Sequence, residues 1–179
     1  DFELVDLNQA KDPDPVTVIL YSADKIIASE NLADSKQLDT SGKIRSGKLS
    51  LHKNNLPIGV YKVELKASDD IVVKKITSSL DHLSFINKIW PVTTAKPLTL
   101  YTDANYLQVK AYDPASLQTI KFGGQDFAVT EAYEQFTFET SANSAVKEIK
   151  LNRDDLILET NGVFSFASSS LFNPNLKKI

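Results

Sequence analysis

The chain is built from short runs in which apolar and polar residues alternate. In the run Tyr61-Lys62-Val63-Glu64-Leu65-Lys66-Ala67, the odd positions are apolar and the even ones are charged. This two-residue period is that of a β-strand with one face buried and the other in water. Similar runs recur along the whole chain with turn-forming residues between them, and no sustained 3.6-residue period indicates a long helix. The sequence therefore predicts an all-β protein.

The length and the position of one linker favour two domains. A chain of 179 residues is long enough for one large domain or two small ones. Thr93 to Pro97 is short, polar and ends in proline, which is typical of a linker. We expect two tandem immunoglobulin-like antiparallel β-sandwiches, the first over residues 1–94 and the second over residues 95–179 with a C-terminal tail. The alternative is one larger sandwich.

A faint internal repeat supports the tandem arrangement. Three short segments of the first half recur in the same order in the second, at offsets of 80 to 85 residues. The pairs are Leu20-Tyr21-Ser22 with Leu100-Tyr101-Thr102, Ser68-Asp69-Asp70 with Arg153-Asp154-Asp155, and Leu83-Ser84-Phe85 with Phe164-Ser165-Phe166. Short matches among strand-forming residues also arise by chance, so one larger sandwich stays open.

Two dipeptides predict tight hairpins. Gly123-Gly124 separates two apolar runs and supplies the positive φ that a two-residue turn requires. Asn161-Gly162 stands between Leu156-Ile157-Leu158 and Val163-Phe164-Ser165-Phe166, and Asn-Gly between apolar runs is a strong hairpin signal. We expect a reversal of the chain at both places.

One segment resembles a known group of modules. Leu49-Ser50-Leu51, followed by Asn55-Leu56-Pro57-Ile58-Gly59-Val60-Tyr61-Lys62-Val63-Glu64-Leu65, resembles the strand entry of bacterial immunoglobulin-like surface modules. Collagen-adhesin B-type repeats, carboxypeptidase regulatory-like domains and macroglobulin-like domains share this entry. Pro57 and Gly59 are expected to form a turn, and Tyr61 is expected to be the first inward-facing residue of the strand that follows. The resemblance covers about a dozen residues and implies a fold, not an activity.

The composition limits the classes of binding partner and the cellular location that we expect. The absence of cysteine excludes disulfides, thiolate zinc sites and cysteine nucleophiles. A net charge of −3 without a basic stripe argues against nucleic acid, and no segment has the length needed for membrane insertion. The chain also lacks methionine, even at position 1, so we expect a processed segment or a fragment. These features suit an extracellular or cell-surface protein of a bacterium, although the cytoplasm remains open.

The sequence contains no arrangement of residues typical of a catalytic site. The two histidines, His52 and His82, lack metal-ligand spacing and a nucleophile-elbow serine. Adjacent acids such as Asp69-Asp70 and Asp154-Asp155 point apart in a strand or tight turn, whereas a glycosidase needs acids that face each other. We therefore expect no enzyme activity.

Two other groups of side chains are candidates for binding. No cofactor is expected, and calcium is the one alternative, with Asp12 and Asp14 of a proline-rich loop as its ligands. The sequence lacks the Asp-x-Asp-x-Asp-Gly calcium loop, and aspartate is also an ordinary turn residue. Trp90, Tyr101 and Tyr106 are the candidate ligand-stacking residues, and Tyr112 and Tyr133 extend the set of aromatic residues that would form a sugar platform if several shared one face. Core packing and the domain junction are the more ordinary uses of these rings, and Trp90 beside Pro91 at the linker is expected to hold one half of the chain against the other.

These observations favour a binding or structural role. We expect a non-enzymatic module that acts as a spacer or as a protein-binding and adhesion unit, because loops carry recognition on rigid sandwiches. The alternatives are a carbohydrate-binding module and an accessory β domain of a larger extracellular enzyme. The expected partner is accordingly a protein or a glycan.

Overall fold

A computed structural model describes residues 1–7, 15–32, 44–68, 70–92 and 97–174. Within these ranges the chain forms fourteen β-strands, all paired antiparallel, and no α-helix. Two single turns of 3-10 helix occur, at Pro114–Ser116 and Ser168–Ser170. The expectation of an all-β protein is confirmed.

The chain divides into two compact units. The first comprises Asp1–Ser79 with Pro174–Ile179, and the second comprises Leu80–Asn173. Of the expected linker, residues 93–96 lie outside the described residues. The strand Phe85–Ile89, which precedes this linker, pairs with a strand of the second unit. The second unit therefore begins before the boundary at residue 94 that the sequence suggested.

The described residues of the first unit form six strands, in two three-stranded sheets. They are β1 (Phe2–Asp6), β2 (Val16–Ser22), β3 (Lys25–Leu32), β4 (Arg45–Leu49), β5 (Tyr61–Lys66) and β6 (Ile71–Ile76). One sheet has the order β4-β1-β6 and the other the order β3-β2-β5. Only β2 and β3 are consecutive strands within one sheet, so the other connections cross between the sheets.

The core of the first unit lies between its two sheets. Leu4 of β1 and Leu49 of β4 pack with Val16 and Val18 of β2, so each sheet contributes to one buried cluster. Val18 is completely buried, which stabilises the fold by about 2 kcal/mol relative to an exposed valine. The unit is therefore sandwich-like. The sequence analysis did not predict β1, a run of only five residues in which the alternation is interrupted by Val5 beside Leu4.

Eight strands, in one sheet, occur in the part of the second unit that the structure describes. They are β7 (Phe85–Ile89), β8 (Leu98–Thr102), β9 (Tyr106–Ala111), β10 (Gln118–Phe122), β11 (Gln125–Val129), β12 (Gln135–Glu139), β13 (Lys147–Leu151) and β14 (Leu156–Ser165). The order is β11-β10-β13-β8-β14-β9-β12, and β7 also pairs with β14. The first unit contains two sheets and the second one, so the faint sequence repeat does not correspond to a repeated strand order.

The long strand β14 pairs with three other strands of the second unit. Its first half pairs with β9, from Leu156 opposite Ala111, and its last residues pair with β8, at Phe164 opposite Thr102. The strand thus passes from one part of the sheet to the other. Side chains from β8 to β14 meet in one core, in which Phe122 and Phe164 are completely buried.

The expected hairpin at Asn161-Gly162 is wrong. Both residues lie inside β14, where the register with β7 shifts between Glu159 and Val163. The glycine is needed for another reason: a Cβ on Gly162 would overlap the carboxylate of Asp103. That carboxylate accepts a hydrogen bond of 2.9 Å from the main-chain N–H of Val163. Close backbone approach, and not a turn, explains the Asn-Gly pair.

The expected hairpin at Gly123-Gly124 is confirmed. Phe122 of β10 stands opposite Gln125 of β11, with the two glycines at φ +57° and +84° between them. Positive φ at both central residues defines the type I′ turn, whose twist matches that of the flanking strands.

Candidate functional site

Four strand termini lie side by side at one end of the second unit. The strands run in the order β7-β14-β9-β12, and each is antiparallel to its neighbours. The C-terminal ends of β7 and β9 therefore lie beside the N-terminal ends of β14 and β12. The paired residues at this end are Ile89 with Leu158, Ala111 with Leu156 and Lys110 with Gln135. Residues just beyond these termini are brought together although they are distant in sequence.

Three aromatic residues occupy this end and contact one another. Trp90 follows β7, Tyr112 follows β9 and Tyr133 precedes β12. The ring centroids of Trp90 and Tyr112 are 5.9 Å apart with the planes tilted by 33°, and those of Tyr112 and Tyr133 are 6.1 Å apart and nearly perpendicular at 88°. We call these three residues the aromatic patch.

The aromatic patch is open to solvent. Tyr133 is 62% exposed, Trp90 49% and Tyr112 39%. Core aromatics of the same unit are quite different, since Phe122 and Phe164 are completely buried. Contiguous exposed apolar surface of this kind marks interaction sites more often than scattered single residues do.

Local backbone geometry fixes Tyr133 of the aromatic patch and its neighbour Asp155. Tyr133 adopts φ +69°, a left-handed conformation that is rare for a bulky residue, and its N–H donates to the carbonyl of Ala111 over 2.8 Å. Asp155 adopts φ +62°, and its N–H donates to the carbonyl of Pro91 over 3.1 Å. Both conformations are strained, and both are held by hydrogen bonds to neighbouring strand ends.

Polar groups complete the site. The indole N–H of Trp90 donates to Oδ1 of Asp155 over 2.9 Å, which fixes the orientation of the indole. The ammonium of Lys110 lies 5.0 Å from the ring centroid of Tyr112, within the range of a cation–π interaction. The site thus combines three aromatic rings, a carboxylate and an ammonium, groups whose chemistry is that of stacking and hydrogen bonding.

The structure separates the aromatic residues singled out in the sequence. Trp90 lies in the aromatic patch, whereas Tyr101 and Tyr106 lie outside it. Tyr101 is half-buried on β8, opposite Glu148 and Ser165. Tyr106 begins β9, six residues before Tyr112 and so about 20 Å away along the strand. A role for Tyr101 and Tyr106 in ligand stacking stays a prediction that the aromatic patch does not support.

The other candidate residues do not assemble a site that the structure describes. Asp12 and Asp14, the expected calcium ligands, lie outside the described residues. His52 is exposed in the first unit, and His82 of the second unit stacks on Phe172 with the ring centroids 6.2 Å apart. Across the described ranges, no three acidic or histidine side chains group closely enough to hold a metal ion. The same ranges contain no helix with the length and apolar character needed to cross a membrane.

Part of the site was not recognisable in the sequence. Tyr112 and Tyr133 were members of a broader aromatic set, but nothing in their spacing joined them to Trp90. Lys110 is an ordinary strand residue and carried no signal, and Asp155 was noticed only as one of a pair of adjacent acids, not as a partner of Trp90. The register of β9 with β12 and β14 brings these residues together, and sequence periodicity does not reveal which strands pair.

Comparison of the chain with protein-family models, with curated proteins and with solved structures gives no match.

Proposed function

We propose that the chain is a non-enzymatic binding module of a secreted or cell-surface protein, which recognises a partner protein through the aromatic patch. The observation that carries this proposal is the mutual contact of Trp90, Tyr112 and Tyr133 at one end of a rigid sheet, with all three rings exposed. Tryptophan and tyrosine dominate the energetic centres of protein interfaces. Their large rings give contact area at little cost in conformational entropy.

Preorganisation supports this role. The hydrogen bond from Trp90 to Asp155 and the bond from the Tyr133 N–H to Ala111 hold two of the three aromatic residues before any ligand arrives. A surface that is already ordered loses less entropy on binding. The left-handed backbone of Tyr133 also supports a binding role. Such conformations persist where the surrounding structure holds them, and they cluster at binding sites.

The first unit supports a surface-module fold. We propose that it is an immunoglobulin-like sandwich of the kind found in bacterial surface proteins. The chain passes from one sheet to the other at every connection except that of β2 with β3. In addition, the hydroxyl of Tyr61 donates to the carbonyl of Pro57 over 2.5 Å. A tyrosine at a strand start that bonds to the backbone a few residues upstream is a hallmark of immunoglobulin domains. The contact joins the two ends of the Pro57 to Tyr61 segment that resembles those modules.

Carbohydrate binding is the second candidate. The observation that favours it is the 33° tilt between the exposed rings of Trp90 and Tyr112, a small enough angle for one sugar to face both rings. The carboxylate of Asp155 and the ammonium of Lys110 would then accept and donate hydrogen bonds to hydroxyl groups. The same residues serve both candidates, so a binding experiment distinguishes them.

The single tryptophan makes the test direct. Because Trp90 is the chain's one tryptophan, its intrinsic fluorescence reports on the aromatic patch alone. We would titrate the whole chain with four probes: the octapeptides (Gly-Arg)4, (Gly-Lys)4 and (Gly-Glu)4, and the neutral sugar cellohexaose. We expect a saturable change in emission with at least one probe, and Tyr133→Ala should weaken that binding at least about fivefold.

Phe172→Ala is the matched control. Phe172 is 39% exposed, as Tyr112 is, and lies in the same unit but outside the aromatic patch. Its removal should leave the affinity unchanged. If no probe alters the emission of Trp90, or if Tyr133→Ala binds as well as the wild type, the proposed function is wrong.

A further inference from the structure

The charges around the aromatic patch are mostly negative. Residues 88–92, 110–113, 131–134 and 153–155 carry or flank the rings and Asp155, and they contain five carboxylates against three cations. The acids are Asp113, Glu131, Glu134, Asp154 and Asp155, and the cations are Lys88, Lys110 and Arg153. Glu131, Glu134 and Asp113 are exposed. A ligand that approaches this end of the second unit therefore meets a negative potential.

Two of the three cations, Lys110 and Arg153, are already engaged within the chain. The ammonium of Lys110 lies over the ring of Tyr112, and the guanidinium of Arg153 donates to the carbonyl of Ala115. In contrast, Asp155 uses one carboxylate oxygen for Trp90, and no donor from the described residues reaches the other. The site thus offers a carboxylate oxygen and exposed aromatic faces to a cation supplied from outside.

Arginine is the cation that fits both features. Its planar guanidinium stacks on aromatic faces and presents a fork of N–H donors to carboxylates. Lysine carries a compact, strongly hydrated charge and stacks poorly. The position of Lys110 over Tyr112 shows that a ring of this patch accepts a cation on its face.

We propose that the aromatic patch binds an arginine-bearing segment of a partner protein. The guanidinium stacks on the exposed rings of Trp90 or Tyr133, and its N–H groups pair with the carboxylates of Asp155, Glu131 and Glu134. This proposal rests on the proposed function and adds the chemistry of the ligand to it. Lys110 competes with the incoming guanidinium for Tyr112 and reduces the local negative charge.

The test compares the four probes on the wild-type chain by Trp90 fluorescence. We expect (Gly-Arg)4 to bind about threefold to fivefold more tightly than (Gly-Lys)4, the difference that stacking of the guanidinium supplies. Binding of (Gly-Glu)4 and cellohexaose should be absent or much weaker. Salt at about 0.5 M should weaken the binding of (Gly-Arg)4, because exposed charges are screened.

Two variants separate an arginine site from a sugar site. The double variant Glu131→Gln and Glu134→Gln removes two charges without changing side-chain shape, and we expect it to weaken (Gly-Arg)4 binding about threefold to tenfold. Lys110→Gln should strengthen the same binding about twofold, because it removes a competing cation. For a sugar ligand, loss of the Lys110 donor would instead weaken binding or leave it unchanged.

The outcomes distinguish failure of the arginine proposal from failure of the proposed function. Equal affinities for (Gly-Arg)4 and (Gly-Lys)4 would show general charge attraction and overturn the arginine proposal. Binding of cellohexaose in place of (Gly-Arg)4 would also overturn it, yet would leave the aromatic patch as a binding site. A Trp90 signal that responds to none of the probes would overturn both proposals.

Discussion

The indole N–H of Trp90 donates to the carboxylate of Asp155 across 65 positions of sequence, over 2.9 Å. The main-chain N–H of Asp155 in turn donates to the carbonyl of Pro91, the residue after Trp90. This reciprocal pair of bonds ties the start of β14 to the end of β7. It also sets the orientation of the ring on which the proposed binding surface depends.

The first prediction concerns Asp155. Asp155→Ala loses the bond to the indole and places alanine at φ +62°, so we expect the free energy of unfolding to fall by about 1–2 kcal/mol. Asp155→Asn is the matched control, because asparagine tolerates the left-handed conformation and its carbonyl still accepts from the indole. Urea unfolding followed by Trp90 fluorescence measures both variants. Equal stability of the two variants would contradict a structural role for this bond.

The second prediction concerns Gly162 inside β14. Gly162→Ala places a methyl group against the carboxylate of Asp103, and we expect a loss of about 2 kcal/mol in the free energy of unfolding. Gly59→Ala is the control, since its new Cβ would meet no atom closer than 3.9 Å. In the double variant with Asp103→Ala, the free energy of unfolding should fall by less than the sum of the two single-variant losses, because the overlap disappears. Simple additivity in denaturant unfolding would show that Asp103 is not the obstacle.

The third prediction concerns pH. The hydroxyl of Tyr21 donates to the carboxylate of Glu64 over 2.7 Å, and this bond lowers the pKa of Glu64 and raises the pKa of Tyr21. A depressed carboxyl pKa stabilises the fold above the ordinary value of 4.5, and this stabilisation is lost as pH falls through the lowered pKa. The raised tyrosine pKa stabilises the fold below its ordinary value of 10.0, and this contribution is lost as pH rises through the raised pKa.

Tyr21→Phe tests this pH dependence. The stability difference between wild type and variant should be constant between the two ordinary pKa values of 4.5 and 10.0 and should shrink on both sides of that window. Urea unfolding at several pH values measures it. The variant keeps the aromatic ring of residue 21, whose centroid lies 5.0 Å from the ammonium of Lys62, so only the hydroxyl is removed. A difference that does not change with pH would mean that the bond is not formed in solution.

The fourth prediction concerns the strand entry of the first unit. Tyr61→Phe removes the hydroxyl that donates to Pro57, and we expect the free energy of unfolding to fall by about 1 kcal/mol. Tyr133→Phe is the control, since the Tyr133 hydroxyl bonds to none of the described residues and its loss should change stability little. Thermal unfolding of the two variants makes the comparison. A neutral Tyr61→Phe would remove one support for the immunoglobulin-like fold of the first unit.

Local patterning predicted the strands well but not their partners. The runs Val16–Ser22, Ile71–Ile76 and Gln125–Val129 all form strands. One face is more buried than the other in the first and the third, whereas the two faces of Ile71–Ile76 are about equally buried. The Asn161-Gly162 pair misled because a glycine required for close approach to Asp103 has the same local sequence as one required for a turn. The difference depends on a residue almost 60 positions away.

The candidate site shows the same limit. Trp90 was recognisable as an unusual residue, since it is the chain's one tryptophan and stands beside a proline. Its neighbours Tyr112 and Tyr133 are defined by the pairing of β9 with β12 and β14, which involves contacts between distant segments. The sequence offered ligand stacking as one use of the aromatic residues and core packing as another, and which of them share a surface depends on tertiary structure.

The most direct test of the aromatic patch as the binding surface is a chemical-shift titration. The chain, labelled with nitrogen-15, would be titrated with whichever of the four probes binds most tightly. We predict that the indole N–H of Trp90 shifts with the affinity measured by fluorescence, and that the largest main-chain shifts fall in residues 110–113, 131–134 and 153–155. An unmoved Trp90 indole, with the largest shifts elsewhere in the chain, would contradict binding at the aromatic patch.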